Sequence, residues 1–212
     1  MSRIFLATRP EIDDITVYLS KWCEKSIKYA EGQGIRVFDL RREKATRKIF
    51  ESYNKKNPNL IVFNGHGSYD RVNGHANEPI IIAGVNESQL DSRIVYSIAC
   101  GSAKELGKKS VEAGAKSYIG YEEDFWFIYD ENSVNRPLSD VEAAVFFDHS
   151  EIFINMVLKG HSVGDAYEKA KARLRENYYK VLSTEGAASD AAAYLFWDLI
   201  NFKAQGDMLA VL

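Results

Sequence analysis

Leu60-Ile61-Val62-Phe63 is wholly apolar, enters after Pro58, and runs directly into Asn64-Gly65-His66-Gly67-Ser68. A run with no polar alternation is the pattern of a strand buried on both faces, which needs helices above and below it and therefore suits a parallel sheet. A second such run, from Arg93 to about Ala99, ends in Cys100-Gly101-Ser102. Outward from these two, strand-like runs at Ile4-Phe5-Leu6-Ala7, Ile35 to Leu40 and Lys116 to Gly120 alternate with stretches of helical period. The helical stretches cover Asp13 to about Glu31, Glu43 to Asn57, and the segment from Cys100-Gly101-Ser102 to Ala113. Between the two decisive runs, Tyr69 to Gly84 carries an Asn73-Gly74 turn signal and the triplet Ile80-Ile81-Ile82, which predict a small hairpin or edge strand. The remainder predicts three helices, over Ser139 to Lys159, Ser162 to about Leu182, and Ser189 to Lys203. Strands alternating with helices specify an α/β fold with a mostly parallel central sheet. No repeat or long linker interrupts it, so residues 1–212 are expected to form a single domain.

Composition narrows the function classes. The 27 Lys+Arg against 30 Asp+Glu give a formal net charge of −3, and 46% of the residues are hydrophobic with only four prolines, a globular core-forming profile. The near balance of charge removes the bulk electrostatic argument for nucleic-acid binding, and the basic cluster Arg41, Arg42, Lys44, Arg47 and Lys48 reads as a solvated helix face. Two cysteines, Cys23 and Cys100, are too few for a disulfide framework or a cysteine zinc site and suit a reducing compartment. The opening Met1-Ser2-Arg3 is unlike a signal peptide, and no apolar run approaches the roughly 20 residues that span a bilayer. A cytoplasmic location without membrane contact is the expectation. Four histidines without His-Glu-x-x-His spacing predict no metal, and Ala7-Thr8-Arg9-Pro10-Glu11 lacks any phosphate-binding glycine pattern, so no cofactor is expected.

Two reactive side chains stand at the carboxyl ends of predicted core strands, where α/β sheets collect their ligands. His66 follows one and Cys100 closes the next, so neighbouring strands would set imidazole and thiol side by side. A thiol at a helix N-terminus is biased toward thiolate, an imidazole can shuttle its proton, and bare glycines at 65, 67 and 101 admit a substrate carbonyl. Backbone N–H groups of Gly67 and Cys100 could face the developing negative charge, which together describes acyl transfer. Cys23 falls within the apolar stripe of the first helix and reads as structural. His75 reads as a solvated turn residue, and His149 and His161 receive no role.

The segments Leu60 to Ser68 and Ile94-Val95-Tyr96-Ser97-Ile98-Ala99-Cys100-Gly101-Ser102-Ala103 resemble the apolar strands ending in His-Gly and in Ala-Cys-x-Ser of the caspase-like superfamily (clan CD) of cysteine peptidases. The following Val111 to Tyr121 resembles a segment of the bacterial CHAT domains in that group. The resemblance, convincing over about residues 35 to 130, implies a caspase-like three-layer α/β/α sandwich. It makes Cys100 the nucleophile, His66 the general base and acid, and the Gly67 and Cys100 N–H groups the oxyanion hole. It implies a protein or peptide substrate and control by a separate regulatory or sensor protein. Several members select Arg or Lys before the scissile bond through an acidic group, and Asp124, then Glu122 and Glu123, are the candidates here. Ile98-Ala99-Cys100-Gly101-Ser102 departs from the Gln-Ala-Cys-x-Gly of caspases, so their aspartate specificity does not transfer. Two other readings stay open: a catalytically idle caspase-like interaction module, and a flavodoxin-like small-ligand-binding domain.

Overall fold

The computed structural model describes residues 3–184 and 189–212. In chain order the elements are β1 (Ile4–Arg9), α1 (Asp14–Gly32), β2 (Arg36–Arg41), α2 (Arg47–Asn54), β3 (Leu60–Phe63), β4 (Gly67–Ser68), β5 (Arg71–Asn73) and β6 (Pro79–Ile82). They continue with β7 (Ile94–Ser97), α3 (Leu106–Glu112), β8 (Ser117–Tyr121), α4 (Val141–Lys159), α5 (Val163–Leu182), α6 (Ser189–Asn201) and β9 (Phe202–Gly206). Six strands form the central sheet in the order β2-β1-β3-β7-β8-β9; the first five run parallel and β9 is antiparallel to β8. Strand order reverses between β1 and β3, the switch point at which α/β sheets open a crevice.

Successive strand residues point to opposite faces, and the core divides accordingly. Phe5, Ala7, Leu60, Val62, Ile94 and Tyr96 join the cluster under α1, α4 and α5. Leu6, Ile61, Phe63, Val95 and Tyr118 join the cluster under α2 and α3. The result is a mixed α/β fold with helices on both faces of a mostly parallel sheet, in three layers. Cys23 is buried in α1, within the first cluster.

Several expected boundaries move for identifiable reasons. Residues 69–84 contribute β5 and β6, which with β4 form a separate three-stranded antiparallel sheet rather than an edge of the main one. The helix expected over Glu43 to Asn57 is shortened because Ala45 (φ −77, ψ 58) and Thr46 (φ −116, ψ 155) are not helical; α2 starts only after the Thr46 side chain accepts the Ile49 N–H. The helix expected directly after Cys100 starts six residues later, at Leu106, because Gly101 sits at φ +65 and turns the chain away. The last helix stops at Asn201 instead of Lys203, and Phe202 to Gly206 satisfies the open edge of β8. α1 begins at a capping box in which Asp13 accepts the Thr16 N–H and Thr16 returns a bond to the Asp13 N–H.

His149 of α4 is fully buried, with its Nε2 and the Tyr121 hydroxyl hydrogen-bonded at 2.5 Å. Burial lowers its pKa from the ordinary 6.5 to about 3. The folded chain therefore refuses a proton that the unfolded chain accepts, so this group's stability is complete above pH 6.5 and is lost as pH falls toward 3. His149→Gln keeps an acceptor for Tyr121 without that titration. Denaturant melts from pH 7 to pH 4 should show the wild type losing roughly 3 kcal/mol more than the variant.

Candidate active site

The carboxyl-end loops of β1, β3, β7 and β8 meet around a cleft of about 460 Å³. His66, Gly67, Cys100, Asp124, Phe125 and Trp126 all line it. His66 and Cys100 reach one cleft because β3 and β7 are hydrogen-bonded neighbours, with Phe63 opposite Ser97. The two turns then pack so closely that a Cβ at Gly67 would stand 2.8 Å from Ala99 Cβ and 3.2 Å from the Cys100 carbonyl oxygen. Gly67 is therefore required for the approach, because any side chain would push the histidine turn off the cysteine turn.

His66 Nε2 lies 2.6 Å from Asp13 Oδ2. Asp13 thus acts with both oxygens, Oδ1 capping α1 through Thr16 N–H at 2.8 Å and Oδ2 holding the imidazole. With Nε2 donating to the carboxylate, Nδ1 is the ring nitrogen left to accept a proton. Burial opposes ionisation of Asp13, but the His66 and Thr16 bonds outweigh it and hold the carboxyl below the usual aspartate range. Sequence reading treats Asp13 only as a helix start. Its second role was signalled by its place just past the carboxyl end of β1, at the switch point facing β3.

Cys100 differs from the sequence expectation in its electrostatics. It stands six residues before α3 and not at the N-terminus of that helix, as the sequence reading expects. Burial raises its thiol pKa, the Phe125 backbone N–H bonds to the sulfur and opposes the rise, and Asp124 and Asp198 add to it. The thiol is protonated at neutral pH and needs a base to react.

The three acidic candidates separate. Asp124 is exposed and lines the cleft. Glu123 is consumed elsewhere: Lys104 Nζ donates to it at 2.6 Å and the Tyr69 hydroxyl at 2.7 Å, a knot that braces the turn after Cys100. Glu122 is not among the cleft residues, and its N–H bonds to the Asn201 carbonyl. Two further α6 groups, missed in sequence, reach the same segment: Asp198 Oδ1 accepts the Trp126 N–H at 3.1 Å, and the Trp197 indole N–H donates to the Asp124 carbonyl at 2.9 Å.

His75 and His161 are not among the cleft residues. His75 belongs to the turn before β6, and its N–H bonds to the Ala45 carbonyl. A groove of about 490 Å³ between α4 and α5 is lined by Asp148, His161 and Arg173. It offers no thiol or hydroxyl, and Arg173 is already paired with Asp148 at 3.2 Å. Among the described residues no three His, Cys, Asp or Glu side chains converge as a metal would require, and no helix is long and apolar enough to cross a membrane.

No protein-family model matches the sequence, and no curated protein does so significantly. Solved structures match in fold. The whole chain superposes on 47% of a crystal structure of the Arg-specific cysteine proteinase gingipain R, with TM-score 0.63 and 10% identity. Over 98% of its length it also superposes on 48% of a chain in a complex of Porphyromonas gingivalis RgpB pro- and mature domains, with TM-score 0.57 and 9% identity. The chain spans about half the length of these gingipain chains, and at such identity the likeness is one of fold: that of caspase-like cysteine peptidases.

The two roles of Asp13 can be separated. Asp13→Asn retains a capping oxygen and should melt close to the wild type, whereas Asp13→Ala should lose about 1 kcal/mol in thermal or denaturant melts. In His66→Gln the Asp13 carboxyl should titrate at higher pH than in the wild type, read by NMR of the side-chain carboxyl carbon.

Proposed function

We propose that the chain is a cysteine endopeptidase of the caspase-like superfamily, with His66 and Cys100 as its reacting pair. The observation that carries the reading is the Asp13–His66 pair at 2.6 Å, opening on the cleft that also holds Cys100. His66 Nδ1 takes the thiol proton as the sulfur attacks the substrate carbonyl, forming the C–S bond and a tetrahedral oxyanion. The Gly67 and Cys100 N–H groups receive that charge. Collapse breaks the C–N bond, and His66 returns the proton to the leaving amine. Water, deprotonated by His66, then hydrolyses the thioester and restores the thiol. Because burial keeps the thiol protonated, catalysis depends on His66 as base and not on a standing thiolate.

Asp124 is the carboxylate available to a basic substrate side chain, which favours cleavage after Arg or Lys. Burial of the thiol is the observation on the side of an idle interaction module, in which case the cleft binds peptide without cutting it. Two free thiols suit a reducing, cytoplasmic setting. One fold neighbour is a complex of a pro-domain with its mature domain; control of this chain by a separate regulatory or sensor protein is the corresponding proposal. The motif likeness of residues 94–121 to CHAT domains belongs to the same reading.

A thiol-directed acyloxymethylketone probe should label Cys100, and the label should disappear in His66→Ala. Equal labelling of Cys23 and Cys100 would instead identify ordinary thiols. Cys100→Ala should abolish peptide cleavage while leaving the melting temperature within a few degrees. Asp124→Asn should lower kcat/KM on Arg-containing peptides by about tenfold or more. Cleavage after Asp, with none after Arg or Lys, would overturn the basic preference.

A further inference from the structure

We propose that Tyr69, Lys104 and Glu123 form a clamp that fixes the three cleft loops to one another, as positioning residues for His66, Cys100 and Asp124. The inference deepens the cysteine-peptidase reading and rests on it. Each member belongs to a different loop: Tyr69 stands three residues after His66 in the β4–β5 turn, Lys104 four residues after Cys100, and Glu123 directly before Asp124. They meet on one carboxylate. Glu123 Oε1 accepts from Lys104 Nζ at 2.6 Å, and Oε2 accepts from the Tyr69 hydroxyl at 2.7 Å. The triangle closes on its third side, because Lys104 Nζ also lies 4.0 Å from the centre of the Tyr69 ring.

The turn after Cys100 needs such a restraint. Residues 100–105 lie in neither helix nor strand, and Gly101, at φ +65, gives the backbone freedom beside the reacting atom. The N–H groups of this segment reach both neighbouring loops, Gly101 to the Glu123 carbonyl at 3.0 Å and Glu105 to the Tyr69 carbonyl at 3.2 Å. Tyr69 and Glu123 thus hold the turn from two sides, by backbone and by side chain. The Tyr69 ring also fills the space beside Gly101, where a Cβ would meet it at 2.6 Å. As a source of stability the triad is poor. Tyr69 is 45% exposed, and the side chains of Lys104 and Glu123 are 42% and 29% exposed, a setting in which ion pairs contribute little. Three loops joined at one carboxylate suit alignment instead, since a misplacement of about 1 Å between reacting groups can cost roughly 100-fold in rate.

The test combines peptide kinetics with thiol labelling on the full chain. Tyr69→Phe removes one hydroxyl, Lys104→Met the ammonium, and Glu123→Ala the carboxylate that joins them. Lys104→Met and Glu123→Ala should each lower kcat on Arg-containing peptides by about 10-fold, with KM within about twofold of the wild type and the melting temperature little changed. Lys104→Arg, which keeps the ion pair, should restore kcat. In the Glu123→Ala background, Tyr69→Phe and Lys104→Met should have little further effect, because both act through the same carboxylate. Additive losses, a fall in kcat/KM carried by KM alone, or folded variants with wild-type kcat would overturn the clamp and leave the peptidase reading standing. Alkylation of Cys100 by iodoacetamide, followed by mass spectrometry with buried Cys23 as internal control, needs no substrate. The acceleration that the wild type owes to His66, measured against His66→Ala, should shrink by about 5-fold in Lys104→Met. A wild type that cleaves no peptide yet shows this loss would sink the peptidase reading and support the clamp. An acceleration by His66 that is absent, or is unchanged in Lys104→Met, would overturn the clamp.

Discussion

Strands β1, β3, β7 and β8 keep every residue buried, so neither face of the sheet centre can meet water. Each such strand has backbone groups that only neighbouring strands can satisfy and side chains that only a covering layer can shelter. Parallel pairing then forces every connection to cross back over the sheet, which brings the loops following β1, β3, β7 and β8 to one rim. Asp13, His66, Cys100 and Asp124 are far apart in sequence and meet at that rim for this reason. The site is in this sense a consequence of how the core is closed.

Along the rim, the electrostatic arrangement pairs an imidazole with a carboxylate and leaves the thiol protonated. A carboxylate held below its usual range faces His66, while the thiol is pushed upward by burial and relieved only in part by one backbone N–H. The same economy of groups recurs nearby. Asp13 both starts α1 and holds the imidazole. Glu11, despite burial, is held at about 2 by Arg41, Ser20 and Arg42. Its pairing with Arg41 joins the β1–α1 turn to the end of β2, so the segment leading to Asp13 is anchored from behind. The basic cluster that sequence reading treats as a solvated face contributes Arg41 and Arg42 to this anchor.

Which parts are legible in sequence follows from the range of the interactions involved. β3 and β7 announce themselves because apolar runs flanked by glycine-containing turns are local patterns, and His66 and Cys100 stand at their ends. The end of the last helix is not legible: Phe202 and Lys203 read as its last residues in sequence, and only the open edge of β8 draws them into the sheet. The distance from Cys100 to α3 is hidden as well, since the positive φ of Gly101 is set by packing against Tyr69, whose ring a Cβ there would meet at 2.6 Å. Among the acids, Glu122, Glu123 and Asp124 look alike in sequence; Lys104 and Tyr69 remove Glu123 from the cleft.

The sequence by itself determined the α/β class, the two strand ends that carry imidazole and thiol, and the structural part of Cys23, because these depend on local hydrophobic period and turn chemistry. The tertiary structure alone decided that Asp13 is the partner of His66, that α3 starts six residues past Cys100, and that α6 bonds to the Asp124–Trp126 wall of the cleft. Each of these depends on strand order, on an exact turn geometry, or on a helix returning from the far end of the chain. Such contacts are made between residues tens of positions apart, and no local pattern encodes them.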